Sequence, residues 1–175
     1  MAISTYKEAF TASATITISP ANVATSATFV AGVESDVISN LSNLFADVLV
    51  SGKWTCGTTP TANTQVQIWV YAPITDDLSS TVTYPDVIDG TSSAETLTSA
   101  GVLMGGLKLA AVLNVDTTTS NREYPCAPFS VAALFGGRMP TRWGLFLSHN
   151  TGVNSHSTSG NHAWSYVGVK DTWES

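Results

Sequence analysis

Pro128–Val169 reads PFSVAALFGGRMPTRWGLFLSHNTGVNSHSTSGNHAWSYVGV, and it is the most informative stretch for the fold. Two apolar strand patterns, Thr141–His149 and His162–Lys170, flank a long Ser/Asn/Gly/His loop. Trp143, Leu145 and Leu147 share one face of the first. In the second, His162, Trp164 and Tyr166 lie on one side, and Ala163, Val167 and Val169 on the other. A period of two is the mark of a strand with distinct faces. Ahead of them, Ser130–Gly136 reads as one helical turn, capped by Ser130 and ended by Gly136-Gly137. The stretch holds no Gly-rich phosphate cradle, no charged pair and no nucleophile–base constellation. That favours a structural or binding role over an enzyme.

The same punctuation extends upstream. Thr11–Ser19 (TASATITIS) alternates Ala12, Ala14, Ile16 and Ile18 with Thr and Ser until Pro20 stops it. Ser26–Ala31 is a weaker strand. Ser35–Val50 fits a helical face and a strand face equally, and its Ser and Asn residues favour a strand over Asn43–Thr55. A turn at Thr58–Asn63 leads to Gln65–Ala72, with Val66, Ile68 and Val70 inward, so the two strands read as a hairpin. Pro73–Gly101 is rich in turn residues and fits a contact loop or a short edge element. Val102–Asp116 places Leu107, Leu109, Ala111, Leu113 and Val115 on one face, with Gly105-Gly106 as a bend or bulge. Arg122–Pro125 completes seven or eight short strands. The reading is all-β: a single-domain antiparallel β-sandwich over residues 11–175, jelly-roll-like, with at most one short helical turn. Met1–Phe10 is expected to be an arm that packs on a neighbour.

Composition narrows the function. A chain of 175 residues suits one domain that buries roughly 70% of its unfolded surface. Charged residues are 11%, well below the usual share of about a quarter, so neutral hydroxyls build much of the surface. The net charge is −6, with only seven basic residues. Lys7, Lys53, Lys108 and Lys170 are scattered, and only Arg138 and Arg142 are close. No basic stripe exists for nucleic acid or an anionic membrane. No apolar run approaches the ~18 residues of a membrane span, and MAISTYKEAF has no signal-peptide core. Synthesis in a reducing cytoplasm is expected, with Cys56 and Cys126 as free, partly buried thiols.

Candidate chemistry is sparse. His149, His156 and His162 surround one loop, but lack the tight spacing of a metal site; loop hydrogen bonding is their commoner role. Asp76, Asp77, Asp86 and Asp89 form the densest acidic segment without the EF-hand spacing. Asp47 alternates with apolar neighbours and is expected to face solvent. Two cysteines without a neighbouring His make no zinc site, no G-x-S-x-G elbow occurs, and no catalytic residue, metal or cofactor is assigned. Trp69 with Tyr71, and Trp164 with Tyr166, form aromatic pairs that fit core packing, a subunit interface or a sugar platform.

PFSVAALFGG, TRWGLFL, HNTG and GNHAWSYVGV, together with LFADVLVSGKWTCGTTPTANTQVQIWVYA and DVIDGTSSAETLT upstream, carry a family likeness. In these pieces the chain beyond about Asp36 resembles small virion structural proteins of tailed bacteriophages. The resemblance implies a non-enzymatic head component: a capsid decoration, or cement, protein on the outer capsid surface. Its partners would be the phage major capsid protein and further copies of itself, as a homodimer or homotrimer, with synthesis in the host bacterial cytoplasm. The resemblance supplies no site residues. On physical grounds, Ile3, Tyr6 and Phe10 of the arm, Trp69 and Tyr71, and Asp86 and Asp89 of the long loop are the candidate capsid or subunit contacts. The alternative is a tail- or fibre-associated module that binds host carbohydrate through His149, His162 and Trp164.

Overall fold

Alternating strands and Gly/Asn/Pro turns build a sandwich in the computed structural model, which describes residues 5–78 and 81–174. In chain order the elements are β1 Thr5–Phe10, β2 Ala14–Thr15, β3 Ala31–Glu34, β4 Ile38–Ser39, β5 Asp47–Thr55 and β6 Thr64–Tyr71. Then come β7 Thr75–Asp76, β8 Val82–Thr83, β9 Ala94–Thr96, helix α1 Ala100–Gly106, β10 Lys108–Val115 and β11 Glu123–Ser130. Helix α2 Val131–Leu134, β12 Arg142–His149 and β13 Ala163–Glu174 complete the series. One sheet runs β1-β13-β5-β11, with β2 also on β13; the other runs β10-β6-β12-β3-β9, with β4 also on β12. All pairings between these strands are antiparallel. The principal strands therefore face one another as β2-β13-β5-β11 over β3-β12-β6-β10. That order is the double Greek key of a jelly roll.

The main core lies between the sheets. Val48, Val50 and Trp54 of β5 meet Val66, Ile68 and Val70 of β6, Trp143, Leu145 and Leu147 of β12, and Trp164 of β13. The other faces of β6 and β12 are buried as well. Residues 73–78 and 81–107 fold back over the outer face of the second sheet, and Ile88, Leu97, Leu103 and Leu107 cover Trp69, Tyr71 and Phe146. The molecule thus has a third layer over one sheet. This corrects the contact role expected of Trp69 and Tyr71, which are 6% and 0% exposed.

Several local expectations change with the topology. β5 and β6 are not a hairpin: Cys56–Asn63 carries the chain from one sheet to the other, with Thr59 and Asn63 at positive φ. Turn chemistry reads alike for both connections. Thr11–Ser19 forms a ladder with β13 at Ala14–Thr15, flanked by N–H bonds from Thr11 to Gly168 and from Ile16 to Trp164, then crosses the sandwich edge, where Ile18 bridges Ser35. The strand expected at Ser26–Ala31 begins at Ala31 instead. Val102–Gly106 is helical, which adds a second short helix to the one expected at α2. Ser99 accepts from the Val102 N–H, and Leu103 and Leu107, four residues apart, bury on one side. The bulge of β10 falls between Leu109 and Ala111, not at the glycines, and it leaves Leu109 outside the inward face, 44% exposed. Asp47 does not simply face water: its Oδ1 accepts from Val48 N–H (2.7 Å) and from Ala132 N–H at the start of α2 (2.9 Å).

The described part of the expected arm, Thr5–Phe10, is a strand of the chain's own first sheet. It pairs with β13 from Thr5↔Glu174 to Phe10↔Val169. β5 ends its ladder with β13 at Val169↔Asp47, so β1 and the last residues of β13 continue as a two-stranded ribbon. Ile3 lies outside the described residues.

Candidate functional site

The loop histidines converge on Trp54, with His149 at 5.1 Å and His162 at 6.2 Å between ring centroids. Both are buried, at 1% and 7% exposure. His149 Nε2 lies 3.0 Å from the Val23 carbonyl, and its Nδ1 lies 3.0 Å from Thr151 Oγ1. His162 Nδ1 accepts from the Thr55 N–H (3.3 Å), and its Nε2 donates to the His156 carbonyl (3.1 Å). His156 Nδ1 accepts in turn from the Thr158 N–H at 3.0 Å. Burial lowers His149 to about 4 and also depresses His162, so both stay neutral above mild acidity. The His149 and His162 imidazoles pin loop backbone to the sheets, while the His156 ring bonds within its own loop, to Thr158 and Asn161. Among the described residues no group of three His, Cys, Asp or Glu side chains could hold a metal ion.

Trp164 is 2% exposed and cannot present a ring to a sugar. It lies across from Gly52, whose missing side chain makes room for the indole. The carbohydrate residues read from the sequence are therefore close together but interior. Cys56 and Cys126 are also buried and unpaired, and burial raises both thiols, Cys126 to about 11.

The acidic segment is knitted to its own backbone. Asp76 Oδ1 accepts from Leu78 N–H and Arg142 Nη1, its Oδ2 from Thr141 Oγ1, and the Arg142 pair is 2.6 Å long. Burial alone would raise Asp76, but these bonds outweigh it and hold the carboxyl below its ordinary range. Asp86 takes both the N–H and the hydroxyl of Thr98, and Asp89 takes the Thr91 N–H. Asp86 and Asp89, expected as contacts, thus shape the loop over the second sheet. Beneath them lies Glu34, 0% exposed, accepting from the N–H groups of Asp89 and Gly90, each at 3.2 Å. No alternation in Ala31–Glu34 marks this buried carboxylate; it is made by a loop more than 50 positions downstream.

Accessible features lie elsewhere. Ser51, Lys53, Ala163 and Ser165 alternate with core residues of β5 and β13 and floor a groove of about 800 Å³ on the outer face of the first sheet. Thr15–Ile18 form one wall, and Glu123, Pro125 and Pro128 the other. Lys53 and Glu123 pair across it at 2.6 Å. The β1–β13 ribbon exposes Tyr6 (49%) and Phe10 (62%), and Tyr6 Oη donates to Asp171 at 2.6 Å. No helix among the described residues is long and apolar enough to cross a membrane.

Comparison with family models, curated proteins and solved structures finds no match.

Proposed function

We propose that this chain is a non-enzymatic virion structural protein of a tailed bacteriophage, a capsid decoration protein that binds the outside of the major capsid protein shell. The observation that carries this reading is the β1–β13 ribbon. It runs beyond the ladder with β5 and holds Tyr6 and Phe10 in water. A lone two-stranded ribbon is marginal in water, and exposed aromatics gain most when a partner covers them. The sequence likeness to phage virion proteins and the jelly-roll order agree with this reading. Jelly rolls also serve lectins, so the fold supports it by analogy alone.

Decoration works by mass action. Binding energy that only the assembled shell can collect stabilises that shell, and several linked copies gain avidity. Tyr6 and Phe10 are the residues assigned to this contact.

The test is co-sedimentation of the purified protein with capsids assembled from the major capsid protein of the same phage. Saturable binding at a whole-number ratio per capsomer is expected, and Tyr6→Ala/Phe10→Ala should weaken it at least tenfold while melting stays unchanged. Absence of binding to every capsid state would overturn the reading. One feature favours the alternative, a carbohydrate-binding tail module: the groove presents the hydroxyl-bearing residues Thr15, Thr17, Ser51 and Ser165. Binding on a glycan array, lost in Ser51→Trp, would decide for it.

A further inference from the structure

His149, His162, Asp86 and Asp89 direct their polar atoms at the chain's own backbone. The loops at one end of the sandwich hold a group of side chains that do not. Four segments meet there around a recess of about 440 Å³. They are the β2–β3 connection at Asn22, the β5–β6 crossover at Thr58, the turn before β11 at Asn121, and the β12–β13 loop at Asn154 and Ser157. All five residues line the recess and are exposed, and their side chains hydrogen-bond to no other described residue. Loops held on a rigid scaffold are where binding residues concentrate.

The backbone beneath these side chains is tied together. The Asn22 N–H donates to the His156 carbonyl (3.2 Å), the Asn121 N–H to the Gly57 carbonyl (3.1 Å) and the His156 N–H to the Thr55 carbonyl (3.1 Å). Ser155, 3% exposed, accepts from the Val23 N–H and donates to the Pro20 carbonyl. Gly57 packs so closely on the facing loop that a Cβ there would collide with the Asn154 carbonyl. Asn22 and Asn121 hold φ of 57° and 60°, a conformation that Asn adopts more readily than most residues. Segments joined in this way present their side chains with little left to order on binding.

We propose that this recess binds a neutral sugar. The chemistry of its lining selects the ligand. No Lys, Arg, Asp or Glu lines it, so an anion would meet no cation and a metal ion no carboxylate. Val153 is its one apolar side chain, and an apolar ligand would cover the amides without pairing them. The carboxamides of Asn22, Asn121 and Asn154 and the hydroxyls of Thr58 and Ser157 each donate and accept. The hydroxyls around a pyranose ring do the same, and one carboxamide can span two adjacent hydroxyls by accepting from one and donating to the other. The volume lies within the roughly 300–1,000 Å³ of small-ligand sites. The recess shares no lining residue with the groove on the first sheet, and none lies in the β1–β13 ribbon.

The experiment is an NMR titration of the purified full chain with the methyl glycosides of glucose, galactose, mannose and N-acetylglucosamine. At least one glycoside should shift the backbone amides of Asn22, Thr58, Asn121, Asn154 and Ser157, saturating in the millimolar range. Asn154→Ala should weaken binding about tenfold with melting unchanged. Asn121→Gly, which removes the carboxamide and suits the left-handed backbone, should do the same. Ser51→Trp, which fills the groove instead, should leave binding as it is. Silence with all four glycosides, shifts centred on Ser51 and Ser165, or binding indifferent to both asparagine variants overturns the proposal. Capsid co-sedimentation reports on the virion role separately. A chain that binds a glycoside here and ignores capsids sinks that role alone, and one that decorates capsids and ignores all four glycosides sinks this site alone.

Discussion

Glu34 and His149 are buried groups that titrate in opposite senses. Burial, reinforced by the nearby Asp89 and Glu95 charges and opposed by the two N–H bonds, raises Glu34 to about 7. A carboxyl raised in the fold stabilises below its unfolded value near 4.5 and loses that contribution as pH climbs through 7. His149, lowered to about 4 by burial, stabilises above its unfolded value near 6.5 and loses that contribution as pH falls toward 4. Each swing is worth up to about 3 kcal/mol. Between pH 4.5 and 6.5 the two nearly cancel, with His162 adding to the histidine side. Glu34→Gln should therefore unmask a rise in unfolding free energy of about 3 kcal/mol from pH 4.5 to 6.5, read by urea titration at each pH. A flat profile in the variant would contradict the lowered titration of His149, and a parent profile as steep as the variant's would contradict the raised titration of Glu34. Neither residue announces this role in sequence. The alternation that placed Val66, Ile68 and Val70 inward was legible because it is local; Glu34, Trp69 and Tyr71 are buried by a segment whose path no short pattern encodes.

Among elements, the strands and the helical turn at α2 were legible because their signals sit within a few residues: Ser130 at the cap, Gly136 with φ of 72° just past the end. α1 was not, since Leu103 and Leu107 satisfy both a helical spacing and a period of two. The capping of α2 has a second, non-local part in Asp47. Asp47→Ala should cost about 1–2 kcal/mol, in the range of a lost helix cap, whereas Asp47→Asn, which keeps an accepting oxygen, should cost under half of that. Thermal melts of the two variants compare them directly. Equal losses would show that charge, not the bond to the Ala132 N–H, matters there. The ribbon reads as an arm for a neighbour because terminal segments are loose unless tied down; what ties it, the pairing with β13, lies more than 150 positions away.

At the scale of the molecule, a jelly-roll core and an added layer are held differently. The sandwich buries large side chains between two ladders. The layer formed by residues 73–78 and 81–107 rests on the smaller second cluster, the Glu34 bonds and the Arg142–Asp76 pair. Local opening follows such differences. Native-state hydrogen exchange should find the amides of Asp89, Gly90 and β9 opening at least tenfold more often than those of β5 and β12. Uniform exchange would make the layers one cooperative unit. The position of β13 has a bearing on biosynthesis. It is made after the other twelve strands, yet it sits between β5 and the β1–β2 side of the first sheet. On the ribosome, β1, β2 and β5 must wait apart until this central strand emerges. The first sheet therefore closes in one late event, when β13 enters between β5 and the β1–β2 side.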